Sequence, residues 1–364
     1  MSMSSYKVTT NNVQVTPELP SLPIVDILET AGEDVLEMFT RESGNRNLAA
    51  DPSALPWMDC PVIDMSLLLS SSEGEAAEEL RKLHYALVSW GSFQLINHGI
   101  MESLLNKIRE NSKEFFVLPV EERMKYLRAP NDPEGYGNDT VLSRNVPHNW
   151  NDRLYLNVYP EDRRRLVFWP QNPSDFRGTL HEFTMKVKEV NETIVQAMAR
   201  CLGLEDNSFL EEYGESVTIQ ARINHYPKCP FPELVRASRT HSDASAMTFL
   251  LQDKQVEGLQ VLKDDNWFKV PIIPNALFVN VGDQMEIMSN GIFKSAVHRV
   301  VANSEKERLS VAMFCSPCSE MEIGPFKKLV NENQPPLYKT IKQYGQIFFQ
   351  YHPKGERPIT SMKI

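Results

Sequence analysis

Beyond residue 217 the chain breaks into short runs rich in β-branched and aromatic residues, at 217–223, 247–252, 259–262, 267–270, 277–281, 296–301 and 309–314. Gly258, Asp264-Asp265-Asn266, Pro274-Asn275, Gly282-Asp283 and Asn290-Gly291 punctuate them, and no helical pattern intervenes. Strands of that length, separated by turn residues alone, predict a β-sandwich or jelly roll.

The first half reads differently. Apolar bursts at 60–65 and 92–96 predict two short strands, the second ending at Asn97-His-Gly99. Helical spacing places Ala76, Leu80, Leu83 and Leu87 on one face of a helix over 75–88. The same spacing gives Leu105, Ile108 and Phe115 over 101–117, and Phe183, Val187, Val190, Ile194 and Met198 over 174–202. A last helix is expected over 337–350, covering one end of the β-rich part. The fold class is therefore α+β. Its parts are a partly ordered, Pro-punctuated leader at 1–60, a mostly helical region at 61–215, a jelly-roll core at 216–330, and a C-terminal helix and tail at 331–364.

With 364 residues, 41% of them hydrophobic, the chain has enough material for a sizeable core. Its net charge of −10, with no basic tract longer than Arg163-Arg164-Arg165, excludes a phosphate-tracking surface, so nucleic acid is not an expected partner. The N-terminal residues lack the apolar core of a secretory signal, and no apolar run approaches the ~20 residues that span a bilayer. A cytoplasmic monomer without membrane contact is expected. Five scattered cysteines fit reduced thiols. In that compartment the sequons at Asn138 and Asn191 carry no meaning. Cys315-Ser-Pro-Cys318 has neither a second cysteine pair nor histidines nearby, and it ends a strand where a redox motif would open a helix.

Chemistry concentrates in a few residues of the β-rich half. In Arg239-Thr-His-Ser-Asp243, extended backbone points residues i and i+2 to one face, which sets the His241 imidazole beside the Asp243 carboxylate. His298, in Ser295-Ala-Val-His-Arg-Val300, supplies a third donor on a later strand. Two histidines and one carboxylate suit ferrous iron with open positions, and a hydrolytic zinc site could use the same three. Ten residues on, Arg308-Leu-Ser310 puts a guanidinium and a hydroxyl on one strand face. A guanidinium aimed into a barrel is costly unless it meets an anion, and its planar fork fits a carboxylate. An oxygenase that consumes a dicarboxylate needs such a group; a zinc hydrolase on a neutral substrate does not. Upstream, Asn224 and Tyr226 share a face and can hold a second carboxylate or a keto group. His98, between a strand and a glycine turn, is expected to be a structural hydrogen bonder. His225 should face away from the site, with a packing effect and no ligand role.

His-x-Asp, a distant histidine and Arg-x-Ser, in this order, resemble the plant 2-oxoglutarate- and iron(II)-dependent dioxygenases of specialised metabolism. That group includes norcoclaurine-synthase-like enzymes, codeine and thebaine O-demethylases and flavonoid oxygenases. The resemblance runs from about residue 60 to 350. It takes in Pro61-Val-Ile-Asp64, Trp90-Gly-Ser-Phe-Gln-Leu-Ile-Asn-His-Gly99, Phe115-Phe-Val-Leu-Pro-Val-Glu-Glu122, Leu250-Leu-Gln-Asp253 and Asn280-Val-Gly-Asp283. It implies a double-stranded β-helix, with His241, Asp243 and His298 as iron ligands. Arg308 and Ser310 would hold the distal carboxylate of 2-oxoglutarate, with Asn224 and Tyr226 near its metal-bound end. It also implies Tyr136, Arg222, Phe314 and Ser316 in the substrate pocket, under a lid formed by the C-terminal helix. The implied activity is hydroxylation or O-demethylation of a small, largely apolar alkaloid or phenolic with O2, yielding succinate and CO2, with ascorbate as reductant. Arg222 would either bind an acidic group of the substrate or pair with an interior carboxylate. The alternatives are an ascorbate-dependent oxidase of the same fold, a metal hydrolase, and a ligand-binding protein without catalysis.

Overall fold

A computed structural model describes residues 24, 39–40, 54–129, 132–139, 147–214, 217–354 and 356–364. The expected leader therefore lies almost wholly outside the described residues. Two sheets face each other across the β-rich half. The larger has eight strands in the order β1-β2-β10-β7-β12-β5-β4-β3, and the smaller has four in the order β6-β11-β8-β9. The larger contains β1 (Val62–Asp64), β2 (Ser92–Ile96), β3 (Gly135–Gly137), β4 (Asp152–Tyr159), β5 (Thr218–Tyr226), β7 (Met247–Leu251), β10 (Leu277–Val281) and β12 (Arg308–Ser316). The smaller contains β6 (Ser238–His241), β8 (Leu259–Lys263), β9 (Asn266–Lys269) and β11 (Val297–Val300). This is the α+β jelly roll. All seven expected strand runs are present, shifted by a few residues at their ends.

Period-two alternation divides the large sheet into two environments. On one face Leu154, Leu156, Val158, Ile219, Ala221, Ile223, Phe249, Val311, Met313 and Cys315 are fully buried. They join a core with the helices Glu73–Ser89, Glu102–Val117 and Phe176–Cys201, whose Leu83, Leu87, Ile108, Phe115, Phe183, Val187 and Ile194 are equally buried. The three predicted helices thus exist because each has an apolar stripe to lay on that face. The other face looks toward the smaller sheet, packs against it through Leu250, Phe278 and Ala312 with Val261 and Val300, and lines an interior chamber.

Three expectations need correction, the first being the strand-only reading beyond residue 217, since a short buried helix, Asp283–Met288, intervenes between β10 and β11. The region before residue 216 holds a strand of eight residues, β4, that completes the large sheet beside β5. The last helix spans Tyr344–Tyr351, shorter than 337–350. The preceding residues form instead a two-residue strand, Ile341–Lys342, paired with Glu322–Ile323. Side-chain anchoring overrides helical periodicity there, since the Tyr338 hydroxyl donates to Glu286 Oε1 at 2.6 Å and the Tyr344 hydroxyl to Asp283 Oδ2 at 2.6 Å. Among the described residues no helix is long and apolar enough to cross a membrane.

Candidate metal and co-substrate centre

The antiparallel register of β6 and β11 sets His298 directly opposite His241, and Asp243 follows two residues beyond the end of β6. One ligand atom from each of the three residues lies within 4.8 Å of the other two, and no other such group of three occurs among the described residues. Each imidazole is oriented from behind: His241 Nδ1 lies 2.7 Å from the Arg239 carbonyl and His298 Nδ1 lies 3.1 Å from the Ala296 carbonyl. A carbonyl accepts only, so both Nδ1 atoms carry the proton and both Nε2 atoms turn a lone pair inward. Those Nε2 atoms stand 3.6 and 3.7 Å from Asp243 Oδ1, too far for a hydrogen bond. Asp243 Oδ2 is buried without a partner. Three inward-facing donor atoms crowded this closely form a cation site, and burial holds the His241 pKa down, with the neighbouring His298 adding to the effect.

Glycine is required where this loop is braced. A Cβ on Gly282 would meet the Ser245 carbonyl oxygen at 2.0 Å and the Asp243 carbonyl oxygen at 3.1 Å. Close approach lets the Asp283 N–H donate to the Asp243 carbonyl at 2.8 Å and the Gln284 amide to the Ala244 carbonyl at 2.7 Å.

Across the chamber, β12 and β5 pair so that Arg308 is opposite Tyr226 and Ser310 opposite Asn224. The four expected co-substrate residues therefore form two adjacent cross-strand pairs on the inward face. Arg308 is 2% exposed, and its Nε and both terminal nitrogens have no hydrogen-bond partner, the guanidinium lying 5.2 Å from the Tyr226 ring centroid. A buried guanidinium with every donor unfilled marks the place of an anion. Asn224 Oδ1 accepts from Asn151 and from Arg222 Nε, at 3.1 and 2.7 Å, which leaves its NH2 to the chamber. Ferrous iron fits the three donors, and a dicarboxylate chelating it fits the unsatisfied Arg308.

The same alternation continues the wall through Arg222, Gln220 and Thr218 on β5 and through Ala312, Phe314 and Ser316 on β12, enclosing a cavity of about 680 Å³. Arg222, Phe314 and Ser316 line it. Tyr136 does not: it is fully buried on β3 among Phe115 and Phe116, with its hydroxyl accepting from Arg123 at 3.1 Å. Its alternation on β3 turns it to the helix-covered face, which removes it from the pocket. Arg222 pairs with an interior carboxylate. Its terminal nitrogens donate to Asp139 at 3.0 and 2.8 Å, and Arg153 Nε adds a third contact at 3.2 Å. Burial alone would push the Asp139 carboxyl up, but Arg222 and Arg153 outweigh it and hold the pKa well below the usual range. Burial brings Arg153 down to about 10.

Several further chamber residues lie in sequence patterns that mark a lining face. Arg153 and Tyr155 alternate with Leu154, Leu156 and Val158, a strand pattern whose second face lines the cavity. Phe348, Phe349 and His352 reach the cavity from the C-terminal segment, with the His352 ring 5.5 Å from that of His241. Asp139 had no local signal, because its partners Asn149, Arg153 and Arg222 lie 10, 14 and 83 residues away.

The remaining candidates fall where the sequence put them. His98 Nε2 donates to the Asn275 carbonyl at 2.9 Å, so its Nδ1 accepts from the Ile100 N–H at 3.2 Å. His225 stacks on Phe116 at 5.1 Å and meets Glu307 at 3.1 Å, away from the chamber. Cys315 and Cys318 are both free thiols, and Cys315 is pushed up by burial.

Comparison with known proteins agrees with this geometry. The family model described as the 2OG-Fe(II) oxygenase superfamily matches residues 218–317, and that of the non-haem dioxygenase in morphine synthesis N-terminal region matches residues 60–172. Jasmonate-induced oxygenase 4 of Arabidopsis thaliana is 35% identical over 349 residues, covering 95% of this chain and 98% of the relative. Codeine O-demethylase of Papaver somniferum is 40% identical over 279 residues, 77% of this chain and 78% of the relative. The crystal structure of JOX2 in complex with 2OG, Fe, and JA superposes with a TM-score of 0.84 at 32% identity, covering 95% of this chain and 98% of that one.

Proposed function

From a chain that belongs to the 2OG-Fe(II) oxygenase superfamily, we propose an enzyme that hydroxylates or O-demethylates a small, largely apolar plant metabolite of the alkaloid or phenolic class. The oxygenase class, with ferrous iron and 2-oxoglutarate as cofactor and co-substrate, is the premise; the substrate and the residue roles are the proposal. It is carried by one observation: the unsatisfied Arg308 guanidinium shares a chamber with three inward-facing donors from His241, Asp243 and His298.

Iron with 2-oxoglutarate and O2 supplies a two-electron oxidation of a C–H bond, the substrate gaining one oxygen atom while 2-oxoglutarate becomes succinate and CO2. Oxidation of a methyl ether carbon in this way gives a hemiacetal that separates into formaldehyde and the alcohol or phenol. The chain's own task is binding, orientation and exclusion of water. His241, Asp243 and His298 hold the metal, with the Arg239 and Ala296 carbonyls fixing the imidazole tautomers. Arg308 and Ser310 take the distal carboxylate, and Asn224 and Tyr226 stand beside the metal-bound end. Unfilled donors on Arg308 favour 2-oxoglutarate over an ascorbate-only oxidase.

Tyr155 and Phe314, stacked at 6.3 Å, offer one aromatic wall, and Phe348 and Phe349 offer another. These suit a flat apolar body. With its terminal nitrogens on Asp139, Arg222 has two N–H groups left, matched to a hydroxyl or carbonyl of the substrate. In this reading residues 61–215 support the chamber through β4 and the helices, 216–330 carry the iron and co-substrate residues, and 331–364 close it. The free cysteines accord with a reducing cytoplasm.

A panel of alkaloids and phenolics, each with its methyl ether, tests the proposal by succinate formed per compound in the presence of ferrous iron, 2-oxoglutarate and ascorbate. Stoichiometric product with one of them supports it. Turnover confined to a charged, non-aromatic acid would contradict it.

A further inference from the structure

Asp283 is fully buried, at 0% exposure, and the mechanism above gives it no task. Its contacts reach every segment that forms the metal site. The backbone N–H donates to the Asp243 carbonyl at 2.8 Å. Its Oδ1 accepts from the Ser295 hydroxyl at 2.6 Å, and Ser295 immediately precedes Ala296, whose carbonyl orients His298. Its Oδ2 accepts from the Tyr344 hydroxyl at 2.6 Å, at the first residue of the C-terminal helix. Arg357, in the same C-terminal segment, approaches Asp283 Oδ1 at 4.0 Å and donates through Nε to Ser242 at 3.3 Å, the residue between His241 and Asp243. Tyr344, Phe348, Phe349 and His352 of that segment line the chamber.

We propose that Asp283 is a positioning residue: one carboxylate joins the seating of the C-terminal segment to the two backbone segments that present Asp243 and His298 to the metal. The proposal rests on the reading of His241, Asp243 and His298 as ligands. It follows from where the hydrogen bonds go. Oδ1 holds the His298 segment through Ser295 and Oδ2 the C-terminal segment through Tyr344, Ser242 adds a further side-chain hydrogen bond to the carboxylate, and the same residue's N–H fixes the Asp243 backbone. Displacing Tyr344 leaves Oδ2 without its donor in a site that holds no exposed surface, so the carboxylate turns or shifts and takes Ser295 with it. A closed C-terminal segment is thereby a condition for the tight metal geometry, and the same closure brings the aromatic wall into the chamber.

Cobalt(II), a redox-stable substitute whose visible absorption reports ligand geometry, tests this in the full chain without any substrate. Wild type, Asp283→Asn, Tyr344→Phe, the double variant and a His298→Ala control are titrated, with thermal melting of each as the check on folding. Loss of a group that orients metal ligands costs about 10- to 100-fold in metal affinity, and Asp283→Asn is expected in that range with an altered spectrum. Tyr344→Phe touches no ligand segment, yet it is expected to weaken cobalt binding by roughly 3- to 10-fold, part of that same cost. Because Tyr344 acts through Asp283, the double variant should bind no worse than Asp283→Asn. Unchanged cobalt affinity in a folded Tyr344→Phe, or effects that multiply in the double variant, would overturn the proposal while leaving the triad intact. If Asp283→Asn does not fold, Tyr344→Phe against wild type decides alone. Equal binding by wild type and His298→Ala would remove the ligand reading and this proposal with it.

Discussion

Replacing Arg308 by methionine should make the protein without co-substrate more stable and at the same time blind to 2-oxoglutarate. Arg308 is 2% exposed with three nitrogens that lack hydrogen-bond partners, and its one compensation is the Tyr226 ring at 5.2 Å. A cation–π contact of that kind contributes about 1–2 kcal/mol, whereas unfilled buried donors cost about 1–3 kcal/mol each, more on a charged group. Removing the charge and keeping the volume should therefore gain about 1–4 kcal/mol, the range seen when buried charges give way to apolar side chains. Co-substrate offsets the deficit in wild type: at a concentration 100 times its Kd it stabilises by about 2.7 kcal/mol. Urea midpoints of both proteins, loaded with cobalt(II), with and without 2-oxoglutarate, measure this. Arg308→Met should unfold at higher urea than wild type when 2-oxoglutarate is absent, and its midpoint should not move when it is added. A less stable variant, or one that still responds to 2-oxoglutarate, would refute the assignment of Arg308 to an anion.

Asp139→Ala should cost about 3–5 kcal/mol, because it leaves Arg153 and Arg222 buried without their shared carboxylate; the Asp139→Ala/Arg222→Met pair should cost less than Asp139→Ala alone, read from urea midpoints. Gly282→Ala should lower cobalt(II) affinity more than it lowers the melting temperature, since its Cβ would collide with the Ser245 carbonyl at 2.0 Å, in the loop that presents Asp243. Acid should destabilise the fold from near pH 6.5 downward. His98, His148 and His352 all have pKa values lowered in the folded protein, chiefly by burial, His148 to about 4. In that window the unfolded chain binds protons that the folded one refuses, so the stability present above pH 6.5 is lost as pH falls toward 4. Urea midpoints between pH 8 and 4.5 should fall in that direction, with a shallower slope in His148→Phe.

Most of the centre was legible because its residues come in local pairs whose spacing equals the strand period. His241 with Asp243, Arg308 with Ser310, and Asn224 with Tyr226 each share a face by alternation, and the sheet register then sets the last two pairs opposite one another. Legibility fails where the determining partner is distant in sequence. Asp139 sits in a loop without periodicity and owes its position to Arg222 on β5, so nothing local marks Arg222 as internally paired. Tyr136 lies on a strand of three residues, too short for alternation to show which face it takes. The C-terminal helix begins at Tyr344 because Tyr338 and Tyr344 are claimed by Glu286 and Asp283, contacts 52 and 61 residues away that no helical pattern records.

In the proposed centre His241, Asp243, His298 and Arg308 together hold iron and 2-oxoglutarate. The anaerobic visible spectrum of the ferrous protein, before and after 2-oxoglutarate, tests it most directly. At a 2-oxoglutarate concentration that saturates wild type, a new charge-transfer band is predicted in wild type and absent from both His298→Ala and Arg308→Met. No band in folded, iron-loaded wild type, or a band of equal strength in His298→Ala, would contradict it.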